Sequence, residues 1–170
     1  MANIRVYLPE ETLAKFRKAA MSRFGYGKGS LSTAAEVAIS GWLAQEDYVE
    51  LWLKKIKTNA EDDKNVLAVF LFGSYVKNKT SYGDVDIAIL LRKDDVDSPT
   101  LLAGYSDPKG LFDTSIMNRL PMNIQSRVIS EGALLYCADK AKIYDYCIDL
   151  MEKWGDFKPR FSRILARRAR

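Results

Sequence analysis

Residues 66–72, Val-Leu-Ala-Val-Phe-Leu-Phe, form an unbroken apolar run that ends in Gly73-Ser74. After a further nine residues comes Asp84-Val85-Asp86-Ile87-Ala88-Ile89-Leu90-Leu91. A run apolar on both faces suits a central, buried strand. In the second segment alternate residues share a face, so Asp84 and Asp86 point one way while Val85, Ile87 and Ile89 point the other. Two neighbouring carboxylates repel, and unpaired charge interrupting an apolar strand is costly. The bland alternative, a plain Gly-Ser turn beside two solvated aspartates, sits poorly with those apolar surroundings. The pattern asks for a cation between the two side chains.

Magnesium suits the position, being a hard ion held by a few carboxylates together with water and phosphate oxygens. Gly73 allows a phosphate to approach the backbone, Ser74 offers a hydroxyl and an N–H at a strand-to-helix turn, and Lys77 lies one turn further on. Together they describe a nucleoside triphosphate site. The rest of the composition narrows the chemistry. The chain has no histidine and two cysteines, Cys137 and Cys147. That excludes the Ser-His-Asp and Cys-His arrangements, leaves little material for a zinc site, and favours two reduced thiols. Any catalysis must use carboxylates, lysine or a metal.

At these residues the chain resembles the nucleotidyltransferase superfamily that includes DNA polymerase beta, most closely its minimal nucleotidyltransferase (MNT) domains. Their signature of hydrophobic-Gly-Ser, a spacer of about ten residues and Asp-hydrophobic-Asp-hydrophobic reads here Phe72-Gly73-Ser74 and Asp84-Val85-Asp86-Ile87, with a nine-residue spacer. Asn78 stands where a glycine is common and Gly83 where a serine often precedes the first aspartate. The resemblance implies a third carboxylate on a later strand, which Leu111-Phe112-Asp113-Thr114-Ser115-Ile116 supplies as Asp113, with Asp107 the competitor. Leu120-Pro121 and 129–136 look like the closing helix and strand. Asp84, Asp86 and Asp113 would then be catalytic and metal-binding, holding two Mg²⁺ ions during turnover. Gly73, Ser74 and Lys77 would hold the phosphates of ATP. Nucleoside monophosphate would pass to a hydroxyl and pyrophosphate would leave.

The N-terminal segment alternates in the same strict way: Ile4, Val6 and Leu8 on one face, Asn3, Arg5 and Tyr7 on the other, a half-buried strand ended by Pro9. A helix follows, with Glu10 and Glu11 in its first turn and Leu13, Phe16, Ala20 and Phe24 near helical spacing. After Gly25, Gly27 and Gly29 a second helix is expected from Ser32 and Thr33. Thr33 and Glu36 fit a capping box, and Ala35, Ala38, Ile39, Trp42 and Leu43 form its buried stripe. A single strand needs a partner, most simply the same strand of a second chain. This order of elements resembles the ribbon-helix-helix DNA-binding dimers, which implies base reading by Asn3, Arg5 and Tyr7 and phosphate contact at Gly29–Ser32, Ser30 included. A plain dimerisation module or an edge strand of the main domain is the other reading.

A third helical pattern, Glu46–Lys57, carries Tyr48, Leu51, Trp52 and Ile56 on one face and joins the second without a linker. Near the C-terminus Ile143, Tyr144, Cys147, Ile148 and Met151 share a helical face, and 157–170 is basic and amphipathic, suited to nucleic acid or to docking on the domain. Charge is segregated: residues 1–57 carry nine Lys or Arg against six Asp or Glu, 58–150 ten against fourteen, and 151–170 seven against two. Basic ends suit polyanions and an acidic centre suits cations.

The expected fold is α+β, a nucleotidyltransferase core of helices on a small mixed β-sheet (residues 46–150). A β-α-α module (1–45) precedes it and a basic amphipathic helix (151–170) follows. The longest apolar run is too short to span a bilayer and no secretory signal opens the chain, so a soluble, cytoplasmic protein is expected. The MNT resemblance further implies an antitoxin that adenylylates or binds a HEPN-type toxin, with a DNA-binding homodimeric N-terminus repressing its own operon. A non-catalytic DNA-binding antitoxin, or transfer to an aminoglycoside-like small molecule or an RNA end, is the alternative.

Overall fold

The protein is described by a computed structural model covering residues 5–77, 82–93 and 97–168. It divides into two compact units, Met1–Leu51 and Trp52–Arg170.

In the first unit, α1 spans Glu10–Phe24, with Glu10 and Glu11 in the first turn and Arg23 in the last, complementing the helix dipole at both ends. Gly25 ends it at φ 80°, a left-handed conformation in which a side chain would be strained. The next helix, α2 (Ser30–Asp62), begins two residues before the expected start at Ser32, so Thr33 and Glu36 do not cap it. Thr33 N–H donates to the Gly29 carbonyl at 2.9 Å, so Thr33 is already inside the helix. The two helices expected within 32–57 are one continuous element.

Asn3 lies outside the described residues. Arg5 to Pro9 are described and form no strand among the described residues, and Val6 and Leu8, expected on the buried face, are exposed. The expected buried stripe of α2 is a correction. Ile39, Trp42 and Leu43 are exposed, Trp42 at 59%. Among the described residues this unit buries only Ala20, Ala34 and Val49 as hydrophobics. So short a segment has too little apolar volume to cover both sides of its own helix.

The second unit is a four-stranded mixed sheet of order β3-β2-β1-β4, the α+β architecture expected. Its strands are β1 (Val66–Phe72), β2 (Val85–Leu91), β3 (Phe112–Ile116) and β4 (Ala133–Cys137). β1 is antiparallel to both β2 and β4, whereas β2 and β3 run parallel. The helices are α3 (Gly73–Lys77), α4 (Ser98–Tyr105), α5 (Met122–Glu131) and α6 (Lys140–Arg168). Continuous apolar sequence in β1 and β2 reflects cover on both sides. On one side Ala68, Phe70, Ala88 and Leu90 pack with Val128 of α5 and with Ile143 and Leu150 of α6. On the other, Trp52 meets Phe112 with ring centroids 6.3 Å apart.

In this unit α2 buries Trp52 and Ile56, as expected, together with Ala60; Leu51, expected on the same face, belongs to the first unit and is 64% exposed. In α6 the expected face divides. Ile143 is buried and Cys147 partly so, whereas Tyr144, Ile148 and Met151 are exposed, because the seam against α5 follows 143, 147 and Leu150, which the expected face did not include. α6 runs on into the basic C-terminal segment as far as Arg168. Cys137 and Cys147 are free thiols. No helix among the described residues is long and apolar enough to cross a membrane.

Candidate active site

The corner where β1 ends is built by strand register. β1 places Phe72 opposite Asp86, and β2 places Asp86 beside Asp113 on the parallel neighbour β3. Residues paired across neighbouring strands point to the same face, and neighbouring strands lie about 4.8 Å apart. Asp84 precedes β2 by one residue and shares that face with Asp86 by the two-residue period. Two neighbouring carboxylates and a third from a later strand therefore gather at one end of the sheet.

Gly73 completes the corner. It follows Phe72 directly and has φ 74°, a conformation that favours glycine. A Cβ there would overlap the Asp86 carboxylate, so the absent side chain is what admits that carboxylate to the turn. Ser74 sits next in α3 and is exposed. The electrostatics carry the mark of the cluster. Burial pushes the Asp86 carboxyl above its ordinary value, and the negative charges of Asp84 and then Asp113 push it the same way.

The expected metal set, Asp84, Asp86 and Asp113, is gathered but is no ready-made cage. Among the described residues no three His, Cys, Asp or Glu side chains stand in metal-holding geometry. Magnesium does not require one, because it is bound through one or two carboxylates and completes its shell with water and substrate phosphate. The donors here are hard oxygens on adjacent strands with unneutralised like charge, and they suit that ion.

Asp107, the competing third carboxylate, is excluded by its own contacts. It is buried and accepts backbone N–H groups from Lys109 at 3.0 Å, Phe112 at 3.1 Å and Leu111, holding the turn that leads into β3.

Lys77, expected as a free phosphate ligand, is engaged in an ion pair. Its Nζ lies 2.6 Å from Glu131 Oε2, and Arg127 Nε lies 3.8 Å from the same oxygen. Glu131 is held below its ordinary carboxyl range by the Lys77 hydrogen bond and by the charges of Lys77 and Arg127. Arg127 and Glu131 line a cleft of about 220 Å³ with Phe72, Gly73, Asp86 and Ile124. Sequence reasoning assigned these two residues no role. The available signal was their four-residue spacing on a helix whose following strand pairs with β1.

A larger, shallower hollow of about 570 Å³, lined by Asn59, Asp63, Asp97, Thr100 and Tyr105 among others, shares no residue with the corner. Convergence of charge, more than volume, marks the site.

Among solved structures, the chain shares its fold with proteins of toxin–antitoxin complexes. A toxin–antitoxin with AMP-PNP matches at 16% identity and a TM-score of 0.55, over 69% of this chain and 98% of that one. A complex of a tri-AMPylated Shewanella oneidensis HEPN toxin with its MNT antitoxin matches at 17% identity and 0.55, over 71% and 98%. A mutant MntA-HpeT toxin–antitoxin matches at 15% identity and 0.56, over 69% and 98%. No curated protein matches the chain. The sequence pattern of the family described as polymerase beta, nucleotidyltransferase covers residues 54–141, just over half of the chain and all three gathered carboxylates, and the chain belongs to that family.

Proposed function

We propose that the protein is a Mg²⁺-dependent nucleotidyltransferase that moves AMP from ATP to a hydroxyl of a HEPN-type toxin and so acts as an antitoxin. The observation that carries this reading is the register pairing of Asp86 with Asp113 beside the Gly73 turn. The fold shared with an AMP-PNP-bound toxin–antitoxin and with the antitoxin of an AMPylated toxin supports the nucleotide and the partner.

Asp84 and Asp86 would hold one magnesium, and these two with Asp113 a second. When bound, the ions supply charge neutralisation for the triphosphate and lower the pKa of the acceptor hydroxyl. Gly73 and Ser74 bring backbone close to the phosphates. Asp113, exposed on the neighbouring strand β3, would accept the proton as the acceptor oxygen attacks the α-phosphorus. The new P–O bond forms in line with the bond to pyrophosphate, which leaves with its electron pair. No histidine is needed.

Incubation with Mg²⁺, α-labelled ATP and a co-encoded HEPN-type partner is expected to label that partner. Absence of label would overturn the catalytic reading. Neutralisation of the partner without label would favour a purely binding antitoxin, and label on an aminoglycoside or an RNA end would reassign the acceptor.

The N-terminal unit is proposed to be a DNA-binding homodimer of ribbon-helix-helix type. Its exposed Ile39, Trp42 and Leu43 form a face that a second copy would cover. A hollow of about 340 Å³ at the start of α2, lined by Lys28, Gly29 and Ser30 among others, suits a DNA phosphate. Ser30 Oγ donates to the Gly27 carbonyl at 2.9 Å, so backbone N–H groups more than its hydroxyl would make that contact. Arg5→Ala is expected to lose both affinity and sequence preference for upstream DNA in a gel-shift assay. A retained preference would remove Arg5 from base reading.

A further inference from the structure

We propose that Glu131 is an internal stand-in for the nucleotide phosphates, occupying Lys77 and Arg127 until a triphosphate displaces it, and that it thereby sets nucleotide affinity. The inference rests on the nucleotidyltransferase reading of the Gly73–Asp86 corner.

Glu131 is the last residue of α5, where the helix dipole disfavours a carboxylate. Two cations offset that cost. Lys77 from α3 lies 2.6 Å from Glu131 Oε2, and Arg127, one turn back on α5, lies 3.8 Å from the same oxygen. Both acidic and basic side chains remain about half exposed, so an incoming anion can compete for the pair.

The position is not free to drift. Gly132 follows Glu131 at a place where a Cβ would overlap the Val128 carbonyl and lie 2.8 Å from the Leu71 carbonyl. The end of α5 is thereby pressed onto β1, two residues before Gly73. Glu131 consequently faces the same small cleft as Gly73 and Asp86. A triphosphate carries about four negative charges and takes cations readily. Arg127 lines this cleft, and Lys77 reaches its wall through Glu131, which engages both cations. An ordinary surface ion pair tying α3 to α5 predicts no effect on nucleotide affinity. A stand-in predicts tighter binding when its charge is removed.

The test is equilibrium titration of the full chain with a fluorescent ATP analogue and Mg²⁺, alongside thermal melts of every variant. Glu131→Gln is expected to bind about fivefold more tightly than wild type, the upper range for a half-exposed ion pair. Glu131→Asp, which keeps the charge on a shorter stem, should fall between them, and also serves should Glu131→Gln fold poorly. Lys77→Met should weaken binding, and Glu131→Gln should gain less in that background, since the pair acts as one unit. Unchanged or weaker binding by both Glu131 variants would overturn the inference while leaving the nucleotide site in place. No binding by the wild-type chain would overturn the inference and the nucleotidyltransferase reading together.

Discussion

Asp86→Asn is expected to remove nucleotidyl transfer while making the protein harder to unfold. Loss of one carboxylate ligand should lower the transfer rate at least about 100-fold, or about 2.7 kcal/mol in the barrier. The opposite effect on stability follows from the electrostatics. Burial, then Asp84, then Asp113 raise the Asp86 carboxyl above its ordinary value, so its ionised form is worse placed in the folded protein than in the unfolded chain. A raised acid pKa means that the folded state holds its proton to higher pH than the unfolded state does. Stability is therefore lost as pH climbs from the ordinary carboxyl value through the raised one, and the penalty is full above both. At neutral pH the neutral amide is therefore expected to raise the melting midpoint above that of wild type. The gain should shrink as the pH is lowered towards the ordinary carboxyl value. Melting curves at two pH values, with and without Mg²⁺, check this. Wild type should be stabilised by the ion at neutral pH and the variant much less so. An Asp86→Asn protein that melts lower than wild type, or that keeps its transfer activity, would contradict the account of the corner.

Gly132→Ala is expected to cost the fold most among single methyl additions. The new Cβ would meet the Val128 carbonyl and the Leu71 carbonyl, and both are backbone atoms held in place by α5 and by β1. Gly132 N–H also donates to the Val128 carbonyl at 2.9 Å, so the end of α5 cannot shift without disturbing its own cap. Overpacking of this kind costs about 2–3 kcal/mol, a midpoint lower by roughly 5–10 °C. The contrast with Gly73→Ala separates structure from function. At Gly73 the added methyl meets a side chain, Asp86, whose far end can swing away, so displacement of that carboxylate and loss of activity should outweigh the loss of stability. Thermal melts beside a transfer assay distinguish the two glycines. Equal behaviour would mean that Gly132 is not the tight contact between α5 and β1.

The core sheet was legible because its strands declare themselves by composition. Val66–Phe72 is apolar throughout, and two aspartates mark the start of the second strand on a single face. The same pattern named Asp84, Asp86 and Gly73 before any coordinate. Asp113 was harder to select, since Asp107 lies only six residues earlier. The difference is one of backbone geometry. Asp107 folds back on the N–H groups of its own turn, whereas Asp113 stands in the strand beside Asp86.

Helical faces were read less well, for a physical reason. Apolar side chains at helical spacing indicate that some face will be covered, not by what. In the first unit the residues expected inside, Ile39, Trp42 and Leu43, are exposed. In α6 a rotation of the helix puts Ile143 and Leu150 against α5 and turns Tyr144 and Ile148 outward.

Local chemistry was thus written in the order of residues: a glycine able to take φ 74°, a hydroxyl after it, and two acids one strand-repeat apart. Such features depend on neighbours within a few positions. Which acid completes the cluster, and which cations face it, depends on hydrogen-bonded register between β2 and β3 and on α5 closing over the end of β1. Register is a relation between segments far apart in the chain, shifted as a whole by a single residue. Lys77 illustrates the difference: its spacing from Gly73 suggested a free phosphate ligand, and only the folded chain brings Glu131 to within 2.6 Å of it.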